Sequence, residues 1–565
     1  METPVQPVAS DAPPTPSQSR GRARWIVGGL VAVVALGGAA WAASFLTARP
    51  VADTLRYVPG DSAVVAELRP DLPGDQRGHL GNFLAHFPGF QDQSILDAKI
   101  DEALGRLVSE GSGGTVDYAT RVKPLLTGPM ALALSTETLT AGASGRQPPL
   151  PVLVATTDGR ITCDIVFGAT TPGEAHRGVE IRTVSDMTAC AVHDRHLLVG
   201  DAAGIGAAID ARLDGTGIDR DATYATARAS LDGDQVATLF VAGDGLTGAF
   251  QGIFDQLGQP LPASPVIPAW TIAGLRVVDD ALILDVVAPP VTGPPPPSGA
   301  PTLAAATESL LAALLPPDTL GFVEAHGIGA LAERGLAELR ADPARAEIVA
   351  QLDAALQVVG GADNLVGWVE DVGVAVVPTD DAVGGVVILR GIDATTAEAR
   401  LAELRNLLVV ASTGTDITLT DTEHAGVTIT SVDLGDLTTL LGGLADVPAG
   451  LGNVPVEISL ARRNDTVFLA AGRGVVERIL DVGSASLGAT SAYQRAIGLA
   501  GDRNDMQMYV AIDAVVATAE RLFVPQEPSS WTDEIKPYVD HLAALAWAST
   551  STSTTNHVRI VLTVK

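Results

Sequence analysis

The sequence predicts an α+β protein: an N-terminal single transmembrane helix followed by two homologous domains with largely antiparallel sheets and packed helices. Three observations lead to this fold class. They are an uncharged apolar run near the N-terminus, a Pro-rich stretch near the middle, and similar strand and helix patterns on both sides of that stretch. At 565 residues the chain also exceeds the size of one ordinary core, so two or more domains are expected.

The apolar run, residues 25–46, predicts a transmembrane helix. It contains no charged residue and spans about 33 Å as a helix, enough for the hydrocarbon core of a bilayer. Residues 1–24 precede it and predict a disordered cytoplasmic tail. Three arginines lie at the end of that tail: Arg20, Arg22 and Arg24.

The positive-inside rule places these arginines, and hence the N-terminus, in the cytoplasm. The sequence therefore predicts a single-pass protein of the cytoplasmic membrane with an extracytoplasmic body. A cleaved signal peptide is the alternative, because Ala40-Trp41-Ala42 has the small-x-small form that signal peptidases need. Both interpretations export the body.

The net charge of −30 argues against nucleic acid as a partner. An acidic surface repels phosphate backbones, so the body is not expected to bind nucleic acid. The expected partners are the membrane, through residues 25–46, and an envelope protein or lipid.

The body reads as one unit used twice. The Pro-rich stretch at 288–301 predicts a semi-rigid linker between a first domain at 53–287 and a second at 302–565. The two domains open alike, with an apolar lead-in, a Pro-x-Asp turn and a strand that ends near a glutamate. The aligned residues are Pro59, Asp61 and Glu67 in the first half and Pro316, Asp318 and Glu324 in the second.

The parallel continues towards the ends of both halves. The segments beginning at Tyr224 and Tyr493 each predict a short helix, a polar turn and a strand. Short polar turns between neighbouring strands favour antiparallel pairing. A parallel βαβ arrangement is the alternative, since some strands lead directly into helices.

Three segments resemble a known bacterial family. They are the opening Tyr57-Val-Pro-Gly-Asp-Ser, the segment Phe83 to Phe90, and the strand entry Lys123-Pro-Leu-Leu-Thr-Gly. Together they resemble the domain of unknown function 3352, which occurs in envelope proteins with an N-terminal membrane helix. The resemblance implies the same topology over essentially the whole body and supplies no catalytic residue, because the family has no assigned activity.

Cys163 and Cys190 are the only cysteines in the chain. Each lies in a strand-like stretch, so a cross-strand disulfide is predicted in an exported domain, with two buried free thiols as the alternative. The bridge would close a loop of about 27 residues, worth roughly 3–4 kcal/mol in the chain-entropy model.

Other residues that could carry chemistry have simpler explanations. His193-x-x-His196 lies at a predicted turn whose counterpart in the second half has no histidine. Two Gly-x-Gly turns lead into helices but lack the third glycine of the dinucleotide fingerprint. His176 and His424 each precede a Gly-Val by one residue, which a shared hairpin turn explains. The sequence therefore assigns no catalytic, cofactor or metal residue.

The sequence leaves the biochemical activity open. A non-enzymatic binding or interaction module of the cell envelope is the leading hypothesis, because the architecture is duplicated and exported and contains no catalytic motif. The alternatives are an envelope hydrolase that uses carboxylates, and a carrier of an apolar or lipidic ligand bound between sheet and helices.

Overall fold

The computed structural model describes residues 52–92, 117–123, 128–141, 149–243, 267–291, 306–341, 345–358, 363–379, 382–412, 419–436, 455–523 and 531–565, with a few single residues between these stretches. The predicted tail at 1–24, the predicted membrane helix at 25–46 and most of the linker at 288–301 lie outside the described residues. No helix in the described part of the chain is both long and apolar enough to cross a bilayer.

The described first half contains ten strands and five α-helices. The strands are β1 (Val64–Leu68), β2 (Met130–Leu134), β3 (Val152–Thr156), β4 (Thr171–His176), β5 (Val179–Thr183), β6 (Ala189–His193), β7 (His196–Gly200), β8 (Ala237–Ala242), β9 (Trp270–Val278) and β10 (Ala281–Ala288). The helices are α1 (Gln76–Ala85), α2 (Thr136–Ala141), α3 (Cys163–Phe167), α4 (Ala202–Asp214) and α5 (Ala222–Ala229).

The second half contributes twelve strands and seven α-helices from its described residues. The strands are β11 (Thr307–Glu308), β12 (Gly321–His326), β13 (Val369–Pro378), β14 (Val383–Gly391), β15 (Leu419–His424), β16 (Val427–Asp436), β17 (Pro455–Arg463), β18 (Thr466–Ala471), β19 (Arg503–Asn504), β20 (Met506–Ala511), β21 (Leu542–Ser551) and β22 (Asn556–Val564). The helices are α6 (Ile328–Ala341), α7 (Ala346–Val358), α8 (Ala394–Ser412), α9 (Val475–Leu480), α10 (Ser491–Ala500), α11 (Ile512–Phe523) and α12 (Lys536–Val539).

The two halves have the same strand order. It runs β4-β5-β6-β7-β3-β2-β1-β8-β9-β10 in the first half and β15-β16-β17-β18-β14-β13-β12-β20-β21-β22 in the second, while β11 and β19 pair separately. Every pairing among the described strands is antiparallel. The predicted mixture of helices and antiparallel sheet is therefore confirmed, and the parallel βαβ alternative is wrong for the described strands.

The halves meet edge to edge. Strand β10 of the first half pairs with β22 of the second along its whole length, so one continuous sheet of twenty strands runs through both. Asp285 lies directly opposite Arg559 in this ladder. The two halves are thus joined by backbone hydrogen bonds as well as by the chain segment between them.

One face of the sheet is closely packed. Ile283 of β10 joins Phe322, Phe468 and Val561 of the second half in one buried cluster, which helices α9 and α10 cover. In the first half, α4 and α5 cover the corresponding strands. Because side chains alternate along a strand, the residues between these buried ones point to the opposite face.

Matching hairpins in the two halves have the same turn geometry, and matching helices begin with the same kind of side-chain cap. The β4–β5 turn places Arg177 and Gly178 at φ 49° and 87°, and the β15–β16 turn places Ala425 and Gly426 at 50° and 76°. Two residues at positive φ match the twist of antiparallel hairpin strands. Helices α5 and α10 both begin at a side-chain cap, in which Asp221 accepts from the Tyr224 N–H and Thr490 from the Tyr493 N–H.

Candidate functional site

The second face of the sheet is apolar and incompletely covered. One cross-strand row on this face runs through twelve neighbouring strands, from β2 to β18, and each of its side chains is apolar. None of the twelve is fully buried. The row consists of Met130, Leu68, Ala237, Leu275, Leu284, Ile560, Trp547, Met508, Val323, Val374, Val387 and Leu469.

Helices divide this face into covered and open parts. Helix α8 packs Leu401 and Leu404 over the strands at one end of the second half, and α11 contacts β20 and β21. The strands between these helices carry four strongly exposed valines on the same face. We call them the valine floor: Val374 (46% exposed), Val376 (41%), Val383 (41%) and Val387 (36%).

The sequence of β13 explains the valine floor. Val374 and Val376 alternate with Ala375 and Val377, which are 1% and 0% exposed on the packed face. A strand that is apolar on both faces is typical of a sheet covered on both sides. Here the described helices cover only one side at these positions, and adjacent exposed apolar side chains commonly mark a binding surface.

A cleft of about 460 Å³ begins where the valine floor ends. Pro378 lines it and, being two residues beyond Val376, points to the same side of β13. Thr379, Asp318, Arg478 and one side of α11 complete the lining, and α11 contributes Ala514, Ala517, Thr518 and Arg521. The cleft therefore places polar groups beside an apolar surface.

The two arginines of the cleft are held by defined contacts. Arg478 donates from Nη2 to both carboxylate oxygens of Asp318 at 2.8 Å and from Nη1 to the Pro378 carbonyl oxygen. Arg521 donates from Nη1 to the Thr379 carbonyl oxygen at 3.1 Å. Among the described residues, two arginines and one aspartate therefore line this cleft.

Buried carboxylates lie on the packed face at matching positions in the two halves. Glu67 of β1 is 3% exposed and Glu324 of β12 is 0% exposed. Burial raises the pKa of both side chains above the ordinary value. A carboxyl group with a raised pKa is a candidate proton donor or acceptor. These two glutamates lie in separate halves, however, and each is covered by its own helices.

The surroundings of the two glutamates differ. Glu324 accepts from Ser309 Oγ, from Gln507 Nε2 at 2.9 Å and from the N–H groups of Leu310 and Leu311. Glu67 has a 3.5 Å contact from the Thr238 hydroxyl and a 3.7 Å ion pair with Arg69. Close hydrogen bonding thus satisfies Glu324 more completely than Glu67, which agrees with a structural role for Glu324.

A second cleft, of about 530 Å³, is acidic. Asp433, Glu457 and Glu477 line it together with Arg473, whose guanidinium lies 3.3 Å from the Asp433 carboxylate and 3.6 Å from that of Glu457. The glutamates whose pKa is raised do not line this cleft. The arrangement gives the carboxylate-hydrolase hypothesis no support.

The two cysteines form a disulfide, with Cα atoms 5.9 Å apart. The expectation that both lie in strands is wrong: Cys190 lies in β6, whereas Cys163 is the first residue of helix α3. Thr162 caps this helix by accepting a hydrogen bond from the Ile165 N–H. A short apolar run such as that around Cys163 suits either a strand or a helix, and periodicity alone does not decide.

The histidines noted in the sequence have structural partners. Tyr57 contacts both members of the His193-x-x-His196 pair, with its hydroxyl 2.9 Å from His193 Nδ1 and its ring centre 4.9 Å from that of His196. His176 pairs with Asp210 and His424 with Asp481, at equivalent hairpins. Within the described residues, no three His, Cys, Asp or Glu side chains are placed to hold a metal ion.

The Gly-x-Gly turns also serve the fold. Gly204 and Gly206 lie inside α4, and the Asp201 carboxylate accepts from the Gly204 N–H at 2.7 Å, which occupies the helix N-terminus. Gly474 is the residue that precedes α9, at φ 75°. None of these sequence motifs lies at the valine floor. The sequence signal for the floor is the alternation of valines along the central strand β13.

Comparison with known proteins identifies a family and no function. A family model described as "Protein of unknown function (DUF3352)" matches residues 26–564. No curated protein matches the chain. The similar solved structures include crystal form I of TP0453 (8% identity, 42% of this chain, 79% of that chain, TM-score 0.23) and crystal form IV (9%, 42%, 81%, 0.23). These TM-scores are too low for the similarity to support any conclusion about this chain.

Proposed function

The chain belongs to the DUF3352 family of proteins of unknown function, and we propose that it is a membrane-tethered binding protein of the cell envelope that takes an apolar ligand on the valine floor. One observation carries the proposal. Four valines on neighbouring strands of an apolar sheet face are each more than one-third exposed. Leaving such a surface in water costs about 25 cal/mol per Å² of apolar area, a cost that an apolar ligand would remove.

The proposed location follows from the N-terminal segment. Residues 25–46 would serve as the tether, and Arg20, Arg22 and Arg24 would keep the N-terminus in the cytoplasm. The disulfide between Cys163 and Cys190 supports export, since such bonds persist in oxidising compartments. Membrane fractionation and protease treatment of intact spheroplasts test this: the body should sediment with membranes and be digested from outside. A cytosolic, protected body would refute the location.

Ligand binding is tested with a fluorescent apolar probe such as N-phenyl-1-naphthylamine. The wild-type body should enhance probe fluorescence, and Val374→Gln/Val387→Gln should reduce the affinity by about thirtyfold, since each of the two substitutions removes roughly 1 kcal/mol of apolar contact. Ile348→Gln is the matched control, because Ile348 is 61% exposed on helix α7 and lies outside the sheet face.

Two outcomes would count against this function. If the wild-type body leaves the probe unbound, or if Ile348→Gln weakens binding as much as the valine double variant, the valine floor is not the ligand site. Lipid analysis of the purified body adds an independent measurement, because an apolar ligand that occupies the floor should be recovered by organic extraction.

A further inference from the structure

We propose that the first half binds a buried water molecule, which is held by Glu67 Oε1, the Tyr224 hydroxyl and Arg228 Nη1. These three atoms are buried and have no hydrogen-bond partner among the described residues. Glu67 and Tyr224 are each 3% exposed. The site lies on the packed face of the sheet, opposite the valine floor, so this inference is independent of the apolar ligand proposed above.

The three groups converge on one place beneath helix α5. Tyr224 and Arg228 are four residues apart on α5 and so lie on the same side of it. Burial and the charge of Glu67 raise the pKa of Tyr224, and Arg228 lowers it. Burial raises the pKa of Glu67, and the charge of Arg228 is the largest effect that opposes this rise. Each group therefore lies within electrostatic range of the other two.

The second half shows the same arrangement closed by a side chain. Gln507 Nε2 donates to Glu324 Oε2 at 2.9 Å and to the Tyr493 hydroxyl at 2.8 Å, so an amide nitrogen bridges the carboxylate and the phenol. Glu324 and Tyr493 hold the same strand and helix positions in their half as Glu67 and Tyr224 in theirs. Both halves thus place a buried carboxyl group and a buried phenol around one bridging position.

Thr238 takes the place of Gln507 in the first half and does not complete the bridge. Thr238 lies opposite Glu67 in the β1–β8 ladder, as Gln507 lies opposite Glu324 in the second half. The Thr238 hydroxyl is 3.5 Å from Glu67 Oε2, which is beyond the usual length of a hydrogen bond. Because threonine has a shorter side chain than glutamine, the bridging position falls to a separate molecule.

The groups around the bridging position select a small neutral molecule. Arg228 would repel a cation, and the Glu67 carboxylate would repel an anion. A water molecule can donate to Glu67 and Tyr224 while it accepts from Arg228, and buried waters typically make about three such hydrogen bonds. In the second half the apolar Ile497 stands where α5 has Arg228, so the third polar partner belongs to the first half.

A high-resolution crystal structure of the full-length protein tests the inference directly. We expect one ordered water within about 3.2 Å of Glu67 Oε1, the Tyr224 hydroxyl and Arg228 Nη1. A structure without this water, or with a direct hydrogen bond from Tyr224 or Arg228 to Glu67, would overturn the proposal. This measurement uses the wild-type protein, so it decides the question even if a variant does not fold.

Oxygen-17 relaxation dispersion counts long-lived buried waters in solution and tests the role of Thr238. Thr238→Gln should bring an amide to the bridging position, as in the second half, and lower the count by about one. Thr238→Val is the matched control, because valine keeps the shape of threonine, and its count should equal that of wild type. An unchanged count in Thr238→Gln, or an equal loss in Thr238→Val, would contradict a water held at this position by Glu67, Tyr224 and Arg228.

Discussion

Asp285 and Arg559 face each other at the centre of the twenty-stranded sheet, and each holds the same position within its own half. Counting inwards to the junction across the packed face, the row in the first half reads Glu67, Thr238, Gly274, Asp285. The other side reads Glu324, Gln507, Ala548, Arg559. The two halves are therefore related by an approximate two-fold axis, and that axis passes between Asp285 and Arg559.

A true two-fold axis would place identical residues opposite each other. Two aspartates or two arginines buried at this position would repel, whereas the carboxylate of Asp285 here accepts from Arg559 Nε at 2.5 Å and from His557 Nε2 at 2.7 Å. Opposite charges at the axis thus favour pairing of the first half with the second and disfavour pairing of two identical halves.

Removing the charge of Asp285 should destabilise the protein strongly. Asp285→Asn leaves Arg276 and Arg559 without their buried counter-charge, so we expect a loss of about 3–5 kcal/mol in the free energy of unfolding, measured in urea. Asp232→Asn is the matched control, because Asp232 also pairs with Arg559 but is 69% exposed. The control should cost less than about 1 kcal/mol, and equal effects would contradict the argument.

The same aspartate predicts a pH dependence. Burial raises the pKa of Asp285, but hydrogen bonds from His557 and Arg559 and the charge of Arg276 outweigh burial and lower it to about 2. Because the folded-state pKa is below the unfolded value, this stability is present above pH ~4 and is lost as the pH falls towards about 2. Its full size is about 2 kcal/mol, and about half of it should be lost between pH 5 and pH 3, because pH 3 still lies above the folded-state pKa. Urea unfolding at these two pH values should show this loss of about 1 kcal/mol in wild type but not in Asp285→Asn.

Glu67 and Glu324 should respond oppositely to the same substitution. Burial raises the folded-state pKa of Glu67, so its stability contribution is present below its unfolded pKa and lost as the pH rises through the folded value. Glu67→Gln should therefore stabilise the protein at pH 8. Glu324→Gln breaks a set of hydrogen bonds with Ser309 and Gln507 and should cost about 2 kcal/mol. Thermal melts at pH 8 compare them, and similar shifts would refute the distinction.

The disulfide should contribute measurably to stability. Cys163 and Cys190 are separated by 27 residues, so Cys163→Ser/Cys190→Ser should lower the free energy of unfolding by roughly 3–4 kcal/mol. Reduced wild type, measured in dithiothreitol, should match the double variant. A wild-type protein whose urea midpoint is unaffected by dithiothreitol would show that the bond adds nothing.

Two glycines of helix α6 should behave differently when replaced by alanine. A Cβ at Gly329 would lie 2.7 Å from the Gly367 carbonyl oxygen and 2.8 Å from that of Val369, so Gly329→Ala should destabilise the protein. Gly335 has no such neighbour, and Gly335→Ala should stabilise α6 by up to about 1 kcal/mol because alanine has the higher helix propensity. A stabilising Gly329→Ala would refute the close approach of α6 to β13.

The sequence predicted the parts of this fold that local patterns determine. The alignment of Pro59 and Glu67 with Pro316 and Glu324 corresponds to strands β1 and β12, which hold the same place in the two halves. Hairpin turns predicted antiparallel pairing, which is confirmed. The resemblance to the family is likewise confirmed by the match over residues 26–564.

Local sequence patterns could not predict the long-range features of the fold. The pairing of Asp285 with Arg559 joins residues 274 positions apart, and no local signal fixes that register. The valine floor was also missed, because Val374 and Val376 follow the apolar pattern expected of a strand covered on both faces. Sequence periodicity predicts that a helix forms but not where its connections place it. It therefore could not show which helices cover that face of the sheet.

The junction between β10 and β22 has a consequence for synthesis. Arg559 follows Asp285 by 274 residues, so at 5–20 residues per second the ribosome needs roughly 14–55 s between them. During that interval β10 is an open edge carrying Leu282, Leu284 and Val286, the kind of strand that pairs with another nascent chain. A holdase that shields this edge until β22 emerges should therefore raise the yield of folded protein.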